Sequence, residues 1–326
     1  VGLTFSIHAA SRGFRVSGVE VNDDTLSSVL SGKAHFYEPG INSLIKENLK
    51  NNFSVSKQVD KNEKYDFVII SVGTPLNPID NSPDYDFLLS AVNSVLKSIN
   101  SSSVIILRST VSVGTTRKIK RHIEKYTKIK DIHIGFCPER TIEGKALEEL
   151  SLLPQIISAD SEKTLQIIKD FFKPLVHECV ETNSLEEAEL VKLYNNTFRD
   201  SLFAISNIFS MIGQEFSLDA EHAIDIANYK YPRSFIPKPG FVSGPCLEKD
   251  AYILSHTMVD STLKDFFLAA RKSNELLEIK FCKTIKKIIL KNPSHKILFS
   301  GIAFKGEPKT NDLRGSSAIK ILKELK

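Results

Sequence analysis

The 326-residue sequence predicts an α/β fold: a doubly wound parallel-sheet domain, then an all-helical domain, then the truncated start of a second doubly wound domain. Three observations predict it. Through the first half, β-branched apolar runs alternate with amphipathic stretches, the pattern of βα units laid around a parallel sheet. At Leu185 the alternation stops, and one helical pattern without an internal proline runs to residue 215. Near the end it resumes, with a strand-like run at 296–302 followed by a loop and a helical pattern beginning near Arg314.

Taken in order, residues 2–12 are helix-like and stop at Gly13, which suits a helix C-cap because glycine accepts a left-handed backbone. Residues 14–21 read as a strand, and later strands fall at 66–72 (DFVIISV), 103–108 (SVIILR) and 132–136. Polar loops and helical patterns follow them, as at 83–98 and 114–125. A helix at 161–172 and a strand at 175–180 close this half. Beyond 185–215, a helix near 218–228 leads into a Pro/Gly-rich loop at 229–245, and helical pattern returns at 246–257 and 262–290. Domain bounds of 1–184, 185–290 and 291–326 follow. The chain opens at Val1-Gly2-Leu3 directly into helical pattern and stops at Lys326 inside another. Both ends are therefore expected to be cut, with a first strand and most of the last domain lying outside.

Composition narrows the function classes. With 41% hydrophobic and 25% charged residues, the chain is that of an ordinary water-soluble protein long enough for two domains rather than one. A net charge of +4 without a dense Lys/Arg block does not argue for nucleic acid. No apolar run approaches the roughly 20 residues needed to span a bilayer, and polar residues interrupt the opening too early for a signal peptide. Four scattered cysteines, without paired metal spacing, fit a reducing, cytoplasmic setting and no metal site.

In a dinucleotide-binding βαβ unit, a Gly-rich turn precedes the first helix and an acidic residue ends the second strand about 20 residues on. Gly2 stands where the last of such a turn would be, and Glu20 ends the 14–21 strand, where a ribose hydroxyl would be held. A helix glycine and a surface glutamate would read the same. Cys246 follows Pro245 and precedes LEKD, so it sits at the first turn of a helix, where the helix N-terminus and Lys249 favour the nucleophilic thiolate. Asp250 is four residues on, hence on the same face. Lys192 and Asn196 have the same spacing on the long helix. The neighbouring Leu190, Val191, Leu193, Tyr194 and Phe198 make that helix read as mostly buried, and a buried lysine needs anionic company. Thr110, and Glu139 with Glu143, follow successive strand ends, the edge at which open α/β sheets bind ligands. Cys137, Cys179 and Cys282 read as inert thiols.

Seven segments tie these residues together: YEPG (37–40), SVGTP (71–75), RSTVSVGTT (108–116), CPERTIEGKALEEL (137–150), AELVKLYNNTFRD (188–200), PGFVSGPCLEKD (239–250) and GIAFKGEPKTNDLRGSS (301–317). In this order and spacing the chain resembles the UDP-glucose/GDP-mannose dehydrogenase family across essentially its whole length. The resemblance implies NAD as cofactor, a UDP-sugar as substrate and a homodimer through the central helical domain. It implies a four-electron oxidation of the sugar's C6 hydroxyl to a carboxylate through a thiohemiacetal and thioester on Cys246. Lys192 and Asn196 would stabilise the oxyanion at C6, with Asp250 sharing a water near the lysine. Thr110 would hold the catalytic water or the substrate. Of Glu139 and Glu143, one would assist water attack on the thioester and one would orient the lysine. Thr74 would contact the cofactor, Arg233 the substrate across a dimer interface, and Lys305 and Arg314 would act where the second α/β domain closes on both. The forms FVSGP and PERTIEGK resemble the N-acetylhexosamine branch, which makes uronates such as N-acetylmannosaminuronate for polysaccharide biosynthesis.

Two other readings stay open at this point. A β-hydroxyacid dehydrogenase shares the domain plan and a lysine on the long helix, and performs one oxidation without a cysteine. A non-catalytic remnant that only dimerises or binds a partner would account for the cut ends.

Overall fold

The alternating β-branched runs of the first half become strands in a computed structural model that describes residues 1–294 and 296–325. Two compact units are present: Val1–Lys192 with Pro308–Thr310, and Leu193–Glu307 with Asn311–Lys326.

The first unit begins with α1 (Gly2–Ser11), β1 (Val16–Val19), α2 (Asp23–Leu30), α3 (Ile41–Asn48) and β2 (Phe53–Ser56). It continues as β3 (Phe67–Ile70), α4 (Asp86–Val95), β4 (Val104–Leu107), α5 (Thr115–Tyr126), β5 (His133–Phe136), α6 (Ala146–Leu152), β6 (Gln155–Ala159), α7 (Glu162–Phe172) and β7 (Cys179–Glu181). It ends in the first turns of α8 (Leu185–Glu215). The strands form two sheets. β1 pairs in parallel with β2, Val16 opposite Phe53, and a five-stranded sheet has the order β3-β4-β5-β6-β7.

Why β4 lies inside is written in its side chains. All four residues of VIIL are buried, and they alternate between two cores. Ile105 and Leu107 pack with Leu88 and Val92 of α4 and Ile119 and Ile123 of α5. Val104 and Ile106 pack with Phe5 of α1 and Ile168 and Phe172 of α7. The two-residue period of a strand thus places helices on both faces, the doubly wound arrangement. Helix starts are set by local caps: Asn22 Oδ1 accepts the Thr25 N–H at 2.9 Å to begin α2, and Ser161 Oγ accepts the Thr164 N–H at 3.3 Å to begin α7.

The second unit is helical. It holds the remainder of α8, then α9 (Ala220–Asn228), the loop 229–245, α10 (Leu247–Thr257), α11 (Ser261–Lys291) and α12 (Ser317–Leu325). Asp219 and Asp260 cap α9 and α11 by accepting the His222 and Thr262 N–H groups. Among the described residues no helix is long and apolar enough to cross a membrane.

Three sequence expectations are corrected here. The main sheet is not wholly parallel: β6 runs antiparallel to β5, with Gly135 opposite Ala159. Residues 296–302 form no strand. A lone strand leaves its backbone donors and acceptors unpaired, and among the described residues of the second unit there is no other strand to pair with. Nor is α8 mostly buried around Lys192, since Tyr194 and Phe198 are 56% and 66% exposed.

Candidate active site

In the first unit, Thr74, Thr110 and the pair Glu139 and Glu143 follow the carboxyl ends of β3, β4 and β5, Gly2 abuts the end of β3, and Glu20 lies at the end of β1. Gly2 is the first residue of α1, and a Cβ there would come within 2.8 Å of Ser71 Oγ just past β3, so glycine alone fits without displacement. Glu20 directly follows β1; its N–H donates to the Ser56 carbonyl and its Oε1 accepts the Asn22 N–H at 2.9 Å. Thr74, buried after β3, donates its Oγ1 to the Thr110 carbonyl at 2.8 Å, which ties the loop after β3 to the loop after β4. A helix N-terminus with close backbone approach, and an acid at the end of a parallel strand, are what a dinucleotide's pyrophosphate and ribose require. The residues present fit NAD. Among the described residues no group of His, Cys, Asp and Glu could hold a metal ion.

The loop after β5 holds the two glutamates in different states. Glu139 is buried, and Arg108 at the end of β4 donates Nη2 to its Oε2 at 2.6 Å. Its Oε1 accepts the N–H groups of Arg140 and Thr141 at 2.8 and 2.9 Å. Burial alone would push this carboxyl up, but the Arg108 charge, the Thr141 N–H and the Arg108 hydrogen bond outweigh it and hold it at about 2. Glu139 is a fixed anion that organises its loop, and so a poor proton acceptor. Glu143, half-buried, accepts the Thr310 hydroxyl. Lys192, the last residue of this unit, is half-buried and does not need the enclosing anion of a fully buried lysine.

In the second unit, Cys246 is the N-cap residue of α10 and is exposed, while Cys137 and Cys282 are buried and Cys179 is intermediate. Burial pushes the Cys137 thiol up to about 12, so its reading as inert holds. Asp250, one turn past Cys246, is fully enclosed. Its Oδ2 accepts from Asn196 Nδ2 at 2.6 Å and its Oδ1 from Lys249 Nζ at 2.5 Å. The ammonium that the sequence reading gave to the Cys246 thiolate is therefore engaged by Asp250. The helix N-terminus remains as the local positive potential at the cysteine.

The second unit does not gather its outer candidates on Cys246 directly. Arg233 is exposed in the 229–245 loop, stacked 4.6 Å over the Tyr231 ring. The Lys305 ammonium lies 5.4 Å from the centroid of its neighbour Phe304. Arg314 forks onto Asp312, with Nη2 donating to Oδ2 at 2.6 Å. The segment carrying Arg314 nonetheless holds the cysteine's loop: Gly244 N–H donates to the Gly315 carbonyl, the hydroxyls of Ser243 and Ser317 are 2.5 Å apart, and Lys320 pairs with Glu248 at 2.5 Å.

Three supporting residues carried no sequence assignment: Arg108, Glu38 and Glu189. Glu38 of the YEPG segment is buried and accepts the Gly144 and Leu147 N–H groups at 2.8 and 3.1 Å, fixing the chain beyond Glu143. Glu189 accepts the N–H groups of Gly114 and Thr116 and the Thr116 hydroxyl, holding the start of α5. The available signal was a charged residue inside an apolar run, as Arg108 closes SVIILR and Glu189 interrupts AELV.

Fold and site together define an NAD-dependent dehydrogenase. Residues 1–176 match the NAD binding domain, and residues 186–276 the central domain, of the UDP-glucose/GDP-mannose dehydrogenase family, and the chain belongs to that family. The UDP-N-acetyl-D-mannosamine dehydrogenase of Pyrococcus horikoshii is 31% identical over 333 aligned positions, covering 99% of this chain and 78% of the relative. That of Campylobacter jejuni is 30% identical over 100% of this chain and 81% of the relative. Among solved structures, the UDP-D-ManNAc dehydrogenase from Pyrococcus horikoshii superposes with a TM-score of 0.89 at 30% identity, over 100% of this chain and 78% of that one. The UDP-N-acetyl-mannosamine dehydrogenase Cap5O from Staphylococcus aureus gives 0.86 at 30% identity, over 99% and 76%.

Proposed function

We propose that this chain oxidises the C6 hydroxyl of UDP-N-acetylmannosamine to the carboxylate in two successive steps, with Cys246 as the covalent nucleophile. One observation carries the reading: Cys246 stands exposed at the N-terminus of α10, one turn before a buried Asp250 tied to Asn196 and Lys249. The names of the relatives support the sugar.

NAD, when bound, supplies the hydride acceptor for both oxidations. The Cys246 thiolate adds to the C6 aldehyde, and the hemithioacetal, once oxidised, is a thioester on its sulfur. Keeping both oxidations in one site avoids release of a reactive aldehyde. Stabilising the oxygen on which charge develops is the role given to Lys192, Asn196 and Asp250, and Asn196 is pre-oriented by donating to Asp250. Thr110 holds the water that hydrolyses the thioester. Glu143 assists that attack, because Glu139, held at about 2 by Arg108, stays anionic and fixes the loop. Gly2, Glu20 and Thr74 hold the cofactor. Arg233 reaches substrate across a dimer interface, and Lys305 and Arg314 act at the closing face of a UDP-sugar domain that begins in 291–326. Residues 185–290 form the dimerising domain. The exposed stripe Ile205, Ile208, Phe209 and Ile212 on α8, at helical spacing, supports that role.

The test is NADH formation against a panel of UDP-sugars. The expected result is two NADH per UDP-N-acetylmannosamine, abolished in Cys246→Ala. One NADH per turnover, with Cys246→Ser fully active, would move the assignment to a single-step β-hydroxyacid type of dehydrogenase.

A further inference from the structure

Four polar side chains of the second unit are almost fully enclosed, and no step above uses them: Asp200 and Asn207 on α8, Arg271 and Asn274 on α11. They form one continuous run of hydrogen bonds. Arg271 Nη1 donates to Asp200 Oδ1 at 2.6 Å, and Asn274 Nδ2 donates to the same oxygen at 2.9 Å. Asn207 Nδ2 donates to Asn274 Oδ1 at 2.8 Å. Helical spacing sets this up, because residues seven apart on α8 and three apart on α11 share a face.

The two ends of the run reach either side of Cys246, one the loop 229–245 and the other the first residue of α10. Asn207 accepts the Gly240 N–H at 2.8 Å and donates to the Gly240 carbonyl at 3.0 Å. Arg271 Nη1 reaches the Leu247 carbonyl at 3.4 Å. The residues between these two anchors carry Cys246. Apolar residues of similar volume would pack two helices at least as well as a buried ion pair with its desolvation cost, so helix packing alone does not account for the network. Asp200 Oδ2 and Arg271 Nε have no hydrogen-bond partner, so the run is not there for its own stability; what its bonded groups do is hold the two helices and the segment they reach in one geometry.

We propose that Asn207 and Arg271, joined through Asp200 and Asn274, are positioning residues that set where the Cys246 thiol stands. The proposal rests on Cys246 being the nucleophile. Two variants test it. Asn207→Ala releases the Gly240 anchor, and Arg271→Lys keeps a cation beside Asp200, so that the protein folds, while giving up the reach to Leu247. The readouts are iodoacetamide alkylation of Cys246 in the full chain, followed by mass spectrometry, and steady-state kinetics with UDP-N-acetylmannosamine and NAD.

The expected result is a kcat lower by on the order of tenfold to a hundredfold with KM within about twofold, because misplacement acts on the reacting geometry. The Cys246 alkylation rate shifts severalfold in the same variants, with circular dichroism unchanged. Folded variants with native kcat and native alkylation would overturn the proposal, and so would a rise in KM alone. Failure of the nucleophile reading looks different: turnover would survive in Cys246→Ala, while alkylation would still report whether the network holds the loop.

Discussion

Glu139 shows how much one partner decides at the scale of a residue. Its carboxylate and the Arg108 guanidinium are both buried, and the guanidinium lies 4.4 Å over the Phe5 ring, so neither charge has water to fall back on. Glu139→Gln leaves that arginine uncompensated and should destabilise the fold by about 3–5 kcal/mol, read from the urea midpoint at pH 7. A midpoint within error of the parent would show that Arg108 is neutralised elsewhere. The pH dependence has a definite sign. The folded carboxyl, at about 2, lies below its ordinary 4.5, so its contribution is complete above about pH 4.5 and is lost as pH falls through 2. The parent's urea midpoint should decline through that window, and Glu139→Gln should remove this part of the decline. Cys246, Asp250 and Glu143 could be picked out as candidates from their segments. That Asp250 meets Asn196, or that Glu139 meets Arg108, could not, since pairs 54 and 31 positions apart leave no periodic trace.

At the scale of elements, long helices and central strands were legible because their patterns persist over several turns or alternations. The expected helix at 185–215 is α8, and 262–290 is α11 to within a residue at each end. The run at 296–302 has a strand's composition and no strand's structure, because pairing is a property of two segments. Some element joints hang on single groups. Glu189, on α8, fills the orphan donors at the start of α5, and burial, with the Glu186 charge nearby, raises its carboxyl, opposite to Glu139. Glu189→Ala strands those donors and should cost about 2–4 kcal/mol, visible as a lower calorimetric midpoint. An unchanged midpoint would mean water replaces the carboxylate. Gly144 has a φ of +90° and lies where a Cβ would come within 2.4 Å of the Lys309 carbonyl oxygen. Gly144→Ala should therefore loosen 308–310, with faster tryptic cleavage after Lys309 and a loss of about 1–3 kcal/mol. Unaltered cleavage would show that the loop adapts.

For the whole molecule, the decisive exposed feature is the α8 stripe of Ile205, Ile208, Phe209 and Ile212, each more than a third exposed. As the proposed dimer surface, it should fail when charged: Phe209→Asp with Ile212→Asp should sediment as a monomer where the parent sediments as a dimer. A parent that is monomeric at micromolar concentration would remove the dimer from the proposed function. The sequence by itself determined the α/β class, the central strands β3 to β5, the long helices and the nucleophile candidate, because hydrophobic period, caps and Gly/Pro turns act within a few residues of one another. Only the tertiary structure decided that β6 turns against β5, that Asn196 meets Asp250, and that buried Arg108 and Arg271 face the carboxylates of Glu139 and Asp200. Those outcomes depend on which distant groups share a space from which water has been excluded, where an unpaired charge costs several kcal/mol, on the order of a domain's entire stability.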